Sequence, residues 1–387
     1  MSLSLKSALR PPYICTNCLK KRRRQFTTGQ SLHSATPAKL LPSGYARLTN
    51  RTIIAVTGSD ASKFLQGLTT NNVDPKRETG WFSAFLNAQG RVLMDSIIYP
   101  IRDASLGGRG YLIEVDKSVS GDLMKHLKRH KLRSKIQLRE AGEEWAVWAS
   151  WQQYASAPTP STTETSVLLP DPRLSSFGTR FLLSNSSSTT LTPSSFESAA
   201  NLTEAPPESY TLHRYTNGIP EGPLEILPQT ALPLESNIDH LAGIDFRKGC
   251  YVGQELTIRT QHTGVVRKRI LPVELYTVSP SPSSQPTYNP DTDLAQQVAV
   301  GTDIKAEGGK RASGKFLAGI GNIGLALCRL ENMTSLKVSA EGGTYREDVV
   351  FNLGDTGVKV KAFVPEWLRL AEEKKREGRK VVAAGEE

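Results

Sequence analysis

The chain has 387 residues, of which 38% are hydrophobic and 22% charged, and a net charge of +10. That length exceeds what one core usually organises, so two or three domains are expected, and the composition is that of a globular chain. No run approaches the roughly 18 consecutive apolar residues a membrane span needs, so the sequence predicts no segment that crosses a bilayer and no membrane partner.

The charge is unevenly placed. Residues 1–40 carry eight basic side chains (Lys6, Arg10, Lys20, Lys21, Arg22, Arg23, Arg24, Lys39) and no acid, leaving 40 basic against 38 acidic residues in the rest. In this Ser- and Thr-rich segment Leu5 and Leu9 fall on one helical stripe and Lys6 and Arg10 on another. A positive amphipathic helix responds to a negative-inside potential, so residues 1–38 read as a mitochondrial presequence, with removal expected between Phe26 and Ala38. A basic arm for nucleic acid or anionic lipid is the competing reading. Cys15-x-x-Cys18 lacks the second ligand pair that zinc requires, even with His33. Cys250 and Cys328 remain in the mature chain without a disulfide framework, which fits a reducing compartment such as the mitochondrial matrix.

In chain order, SDASKFLQGL predicts a helix capped by Ser59 or Asp60 with Ala61, Phe64, Leu65 and Leu68 on one face. Thr79 to Leu86 and Arg91 to Tyr99 alternate around a turn at Asn87 to Gly90 and predict a hairpin. GYLIEV (110–115) predicts a strand, followed by a helix through Leu123 and Leu127. That helix runs into the dense basic cluster Lys125, Lys128, Arg129, Lys131, Arg133 and Lys135, read as a solvated face or a phosphate or polyglutamate contact. EEWAVWASW alternates like a strand. Residues 152–166, 184–208 and the stretch SPSPSSQPTYNPD read as Ser/Thr/Pro-rich insertions. QQVAVGTDI, IGNIGLALCRL, TSLKVSA and DTGVKVKAFV predict the strands of a small antiparallel barrel, with Cys328 in its core and a charged tail after residue 368.

The segment KGCYVGQE, Lys248 to Glu255, concentrates chemistry. Gly249 and Gly253 free the backbone for tight conformations and close approach, and Lys248 places a positive charge beside the Cys250 thiol, favouring the thiolate that binds metal or attacks. A protease-type nucleophile would need a histidine base. His240 and His262 are near in sequence, but nothing marks either as one.

KGCYVGQE closely resembles the signature of the folate-binding aminomethyltransferase-like proteins that assist iron–sulfur cluster assembly, in their mitochondrial branch. GSDASKFLQGLTTNNV, AFLNAQGRVLMD, KLRSK, DPR with GTR, YTNGIPEG, LPLESNIDHLAGIDF and VVRKRILPVEL are similar to the family in its order, covering about residues 42 to 275 and, more loosely, the terminal barrel. The resemblance implies an α+β fold: a cloverleaf of three units around a central hole, like the T-protein of the glycine cleavage system, ending in a small antiparallel β-barrel. The organisation expected is residues 39–140 completed by 209–268, a second α+β unit at 141–208, a barrel at 269–368 and the tail at 369–387.

In the T-protein the hole holds tetrahydrofolate beside adjacent Asp residues following a Gly-Gly turn. This chain reads Gly90-Arg91-Val92-Leu93-Met94-Asp95 and adds a thiol in KGCYVGQE that the T-protein lacks. The resemblance therefore implies an assembly factor rather than an enzyme, acting with an A-type scaffold protein to mature 4Fe-4S clients. An ordinary cluster takes four protein ligands, so Cys250 is expected to share a cluster, such as 2Fe-2S, with a partner. Tyr251, Gln254, Glu255 and Arg259 would fix the loop or meet that partner. Asn87, Gly90, Arg91, Arg214 and Glu221 are candidates for a folate pocket, with Asp95 at the reacting position. The rival readings are a tetrahydrofolate-dependent one-carbon transferase using Asp95, and an RNA-binding module using Lys125 to Arg139, which the near-neutral mature chain and missing aromatics disfavour.

Overall fold

The computed structural model describes residues 39–103, 108–152, 158–185, 191–280, 283–339 and 343–384. The expected presequence, with Cys15 and Cys18, lies outside the described residues, as do parts of the three Ser/Thr/Pro-rich insertions.

Strands β1 (Ser43–Arg47) and β2 (Arg51–Thr57) open the fold and are followed by helix α1 (Ala61–Gln66). Next come β3 (Trp81–Leu86), β4 (Val92–Asp103), β5 (Gly108–Asp116), helix α2 (Ser120–Lys131) and β6 (Gln137–Glu140). β2 to β6 form an antiparallel sheet in the order β3-β4-β5-β2-β6. Period-two alternation serves two cores at once. Ile53, Ala55, Phe82, Ala84 and Leu112 enter the largest apolar cluster, whereas Ile54, Val56, Trp81, Phe85 and Ile113 face a second cluster. α1 contributes Ala61, Phe64 and Leu65 to that second cluster, and α2 contributes Leu123, Met124 and Leu127. Asp60 precedes α1 as expected, but its carboxylate accepts the Lys135 backbone N–H at 2.7 Å rather than capping the helix.

β7 (Trp145–Gln152), β8 (Ser161–Thr162), β9 (Ser166–Pro170) and β10 (Thr179–Ser184) form the second sheet, whose order is β1-β7-β10-β9-β8. β7 begins just after the expected division at residue 140, whereas β1 falls within the expected 39–140 unit. β1 pairs with β7, Tyr45 opposite Ser150, and so belongs to the second sheet although it precedes the first in sequence. Gly44, Tyr45 and Ala46 are all buried, so SGYAR carries no alternation that would say which sheet it joins. Val147, Ala149, Trp151 and Leu182 face the first sheet's large cluster, packing the two sheets face to face.

Helix α3 (Pro207–Asn217) lies between all three units, packing Leu212 and Tyr215 on the barrel and Tyr210 in the inter-sheet cluster. Gly218, at φ +69, ends it and donates to the Arg214 and Tyr215 carbonyls. After α4 (Gln254–Thr263) come β11 (Lys268–Tyr276), β12 (Asp303–Ala306), β13 (Ala312–Ile320), β14 (Ile323–Arg329), α5 (Leu330–Met333), β15 (Phe351–Leu353) and β16 (Lys359–Ala362). These six strands close into a barrel, β16 pairing β11. TSLKVSA is not one of them. The Glu331 carboxylate accepts the backbone N–H groups of Val338 and Ser339, at 2.9 and 2.7 Å, in place of a strand ladder. The expected tail is in fact helix α6 (Glu366–Ala384), anchored by buried Leu368 and by Glu372, which accepts from Arg269 at 2.7 Å and lies 2.9 Å from His240.

Candidate functional site: the Cys250 loop

The loop is built by two distant segments. Residues 242–252 lie along Gln66–Asn71, the last residue of α1 and the turn after it. Asp245 N donates to Thr70 O at 3.1 Å, Val252 N to Gly67 O at 3.0 Å, Thr70 Oγ1 to Gly243 O at 2.6 Å and Asn71 Nδ2 to Ala242 O at 2.8 Å. The end of a helix leaves carbonyls without intrahelical donors and carries partial negative charge. Lys248 meets the last carbonyl of the helix and two in the turn beyond it: its ammonium donates to Gln66, Thr69 and Asn71 at 2.8, 2.5 and 2.9 Å. It also lies 4.8 Å from the centre of the Tyr251 ring. Burial pulls Lys248 down to about 7, while three acceptors favour the protonated amine, which alone has three N–H bonds to fill them. The structure gives Lys248 a role the sequence does not show: its charge meets the carbonyls of Gln66, Thr69 and Asn71 and pins the loop.

On this pinned base Gly249 and Cys250 are exposed, whereas Tyr251 is buried. Gln254 Oε1 accepts the Tyr251 N–H at 3.2 Å, and Glu255 and Arg259 are exposed on α4. Gly253 precedes α4 at φ +79, and a Cβ there would overlap the Asn87 carbonyl oxygen. At Gly90, φ +77, an added Cβ would stand 2.9 Å from Gly253 O and 3.1 Å from Leu256 Cβ. The β3–β4 turn therefore packs directly on the thiol-bearing loop. Gly249 has ordinary φ and open space where a Cβ would stand, so the local fold does not require its missing side chain. His240 is not a base for Cys250, because it belongs to the Arg269–Glu372 clamp on α6. Cys328 is fully buried in the barrel, where burial pushes its thiol far above the ordinary range.

The folate candidates divide into two groups. Asn87, Gly90 and Arg91 form the turn beside Gly253. The Asn87 side chain accepts the Gln89 and Arg91 N–H groups, and Arg91 donates to the Thr230 carbonyl at 2.8 Å. Asp95, Arg214 and Glu221 lie in a buried charge network joining the first sheet, the second sheet and α3. Asp95 accepts from Arg51 at 3.3 Å and from the Gly222 N–H at 2.9 Å. Arg51 also meets Glu114 at 2.9 Å, and Glu114 accepts the Tyr99 hydroxyl at 2.6 Å. Glu221 pairs with Arg180 and Arg173 and accepts from the Tyr210 hydroxyl, while Arg214 forks onto Glu225 at 2.6 and 2.9 Å. Burial works to raise the Glu221 carboxyl, but Arg180, Arg173, Arg51 and Arg214 together hold it well below the usual carboxylate range.

Arg51, Glu114, Asp171, Arg173 and Arg180 were not among the predicted site residues. Their sequence signal is a charge set within apolar strand or turn residues, as in GYLIEV, DPR and GTRFLL. The side chains of Asp95, Arg214 and Glu221 are at most 6% exposed and ion-paired, while the buried Arg214 Nε and Arg180 Nε and Nη1 have no hydrogen-bond partner among the described residues.

Residues 267–370 match the CAF17 C-terminal beta-barrel domain. In overall fold the chain is similar to the glycine cleavage system aminomethyltransferase T from Bartonella henselae, with a TM-score of 0.58 and 12% identity over 86% of this chain and 87% of that one. Its sequence is 44% identical to the mitochondrial iron–sulfur cluster assembly factor IBA57 homolog of Neosartorya fischeri, covering 92% of this chain and 89% of the relative. The chain belongs to the IBA57 family. The Neurospora crassa IBA57 homolog is 43% identical over 98% of this chain and 94% of its own length, and that of Pyricularia oryzae is 43% identical over 94% and 95%. The chain thus carries the predicted α+β fold, with a body similar in fold to that aminomethyltransferase and a terminal barrel.

Proposed function

We propose that this chain works in mitochondrial iron–sulfur cluster assembly, in the matrix, with Cys250 as its reactive atom. It acts with an A-type scaffold protein in maturing 4Fe-4S clients, the Cys250 thiolate supplying one iron ligand while the scaffold supplies the rest. The cluster is the cargo of this reaction, and ligation releases the thiol proton. The single observation carrying the reading is the exposure of Cys250 on a loop pinned by Lys248 and closed by Gly253. A donor on a rigid, exposed loop can join a second protein's ligands without local unfolding, which the buried Cys328 cannot do. Aminomethyl transfer lacks comparable support, because Asp95 already accepts from Arg51 and Gly222.

The test is anaerobic reconstitution with a matrix A-type scaffold, recording visible absorption and complex mass for the native chain and Cys250→Ser. A coloured heterocomplex that is lost on substitution is expected. Equal colour and mass in both would overturn the shared-ligand role.

A further inference from the structure

The end of α2, its connection to β6 and the start of β6 present a second surface, remote in sequence from the Cys250 loop. From Lys125 to Arg139 this stretch carries seven basic residues and no acid. Lys128, Arg129 and Arg133 are exposed, and with Lys131 they make no ion pair among the described residues. In their midst Leu132 is 88% exposed at φ +42. A leucine is a poor choice for that backbone region, which favours glycine, and such an outlier persists only where its surroundings fix it. Here they do. Ser134 N donates to the Lys131 carbonyl at 2.8 Å on one side, and Lys135 is tied on the other by its N–H to the Asp60 carboxylate and its carbonyl to Asp60 N. Ile136 then plugs into the second apolar cluster. The chain is thereby held so that one large aliphatic side chain stands out between cations.

We infer that this projection is a docking site for an anionic phospholipid surface, which the protein meets peripherally and does not cross. Basic side chains around an aliphatic tip satisfy both layers of such a surface, the phosphates by charge and the acyl boundary by Leu132. Nucleic acid would gain from aromatic side chains for stacking, and Lys125 to Arg139 contains no Phe, Tyr or Trp, its two histidines being part-buried.

The compact unit from Ala38 onward contains all five apolar clusters, so a chain beginning there carries the fold without the basic leader. Its co-sedimentation is measured with vesicles of phosphatidylcholine alone and of equimolar phosphatidylcholine and phosphatidylserine. Binding is expected only to the anionic vesicles. Leu132→Asp should weaken it about tenfold, as should Lys131→Glu with Arg133→Glu, each reversed charge forfeiting attraction to the surface. Leu132→Gly should lower vesicle binding while keeping or raising the melting temperature, since it relieves the positive φ. That opposition separates membrane contact from misfolding. Vesicle binding unchanged in Leu132→Asp and Leu132→Gly would overturn the proposal, as would a single-stranded RNA that displaces the vesicles at equal salt.

Discussion

The Lys248 ammonium lies 2.8 Å from the carbonyl oxygen of Gln66, a residue 182 positions earlier in the chain. With Thr69 and Asn71 this contact joins two segments that are separate in sequence, and it makes the thiol loop part of the first sheet's helical layer.

Lys248→Met should remove all three bonds and leave their carbonyls short of donors, costing about 2–3 kcal/mol. Denaturant unfolding measures the loss, and faster hydrogen exchange at Val252, whose N–H is held by Gly67, reports the loosened loop. An unchanged midpoint would remove Lys248 from its pinning role.

The two glycines of KGCYVGQE should behave differently. Gly253→Ala must place a Cβ against Asn87 at positive φ, at about 1–3 kcal/mol. Gly249→Ala should fall within about 0.5 kcal/mol of the native chain. If Gly249→Ala keeps its stability but loses heterocomplex formation, the open space at Gly249 is needed for a partner's close approach.

The two thiols should separate by reactivity. A maleimide should label Cys250 in the folded chain and Cys328 only on unfolding, since one is exposed and the other buried. Rapid native labelling of Cys328 would contradict the barrel packing.

Glu221→Gln should destabilise by about 3–5 kcal/mol, because it strips charge from the facing Arg173 and Arg180 in a buried site. Adding Arg173→Met to that variant should recover part of the loss. An independent sum of the two effects would show that the network is not coupled.

His213 lies stacked between Phe177 and Trp151, at 4.7 and 5.8 Å, and burial holds it down to about 4. Its folded pKa is below the ordinary 6.5, so between about 6.5 and 4 the unfolded chain binds more protons. Stability should be full above about pH 6.5 and fall as pH drops toward 4. His126, also held to about 4 by burial, adds the same trend. His213→Gln should flatten part of the slope in melting temperature against pH, and an unaltered slope would exclude His213 as a source.

Several features were legible in the sequence for physical reasons. The apolar runs WFSAFL and GYLIEV and the apolar face of ASKFLQ placed two strands and a helix from local pattern, although both faces of the strands are buried. KGCYVGQE and its neighbours carried the family, and the lone Cys250 stood out by its surroundings. Other features depend on which distant atoms meet. Nothing local assigns β1 to the second sheet, brings Lys248 to the carbonyls of Gln66, Thr69 and Asn71, or places Asp95, Arg214 and Glu221 in buried ion pairs. Nor does the charged composition of EWLRLAEEKKR show that Glu372 will be clamped by Arg269. Periodicity encodes whether a side chain is buried, whereas the partner of a charge or a hydrogen bond is set by three-dimensional approach, and only the tertiary structure decides it.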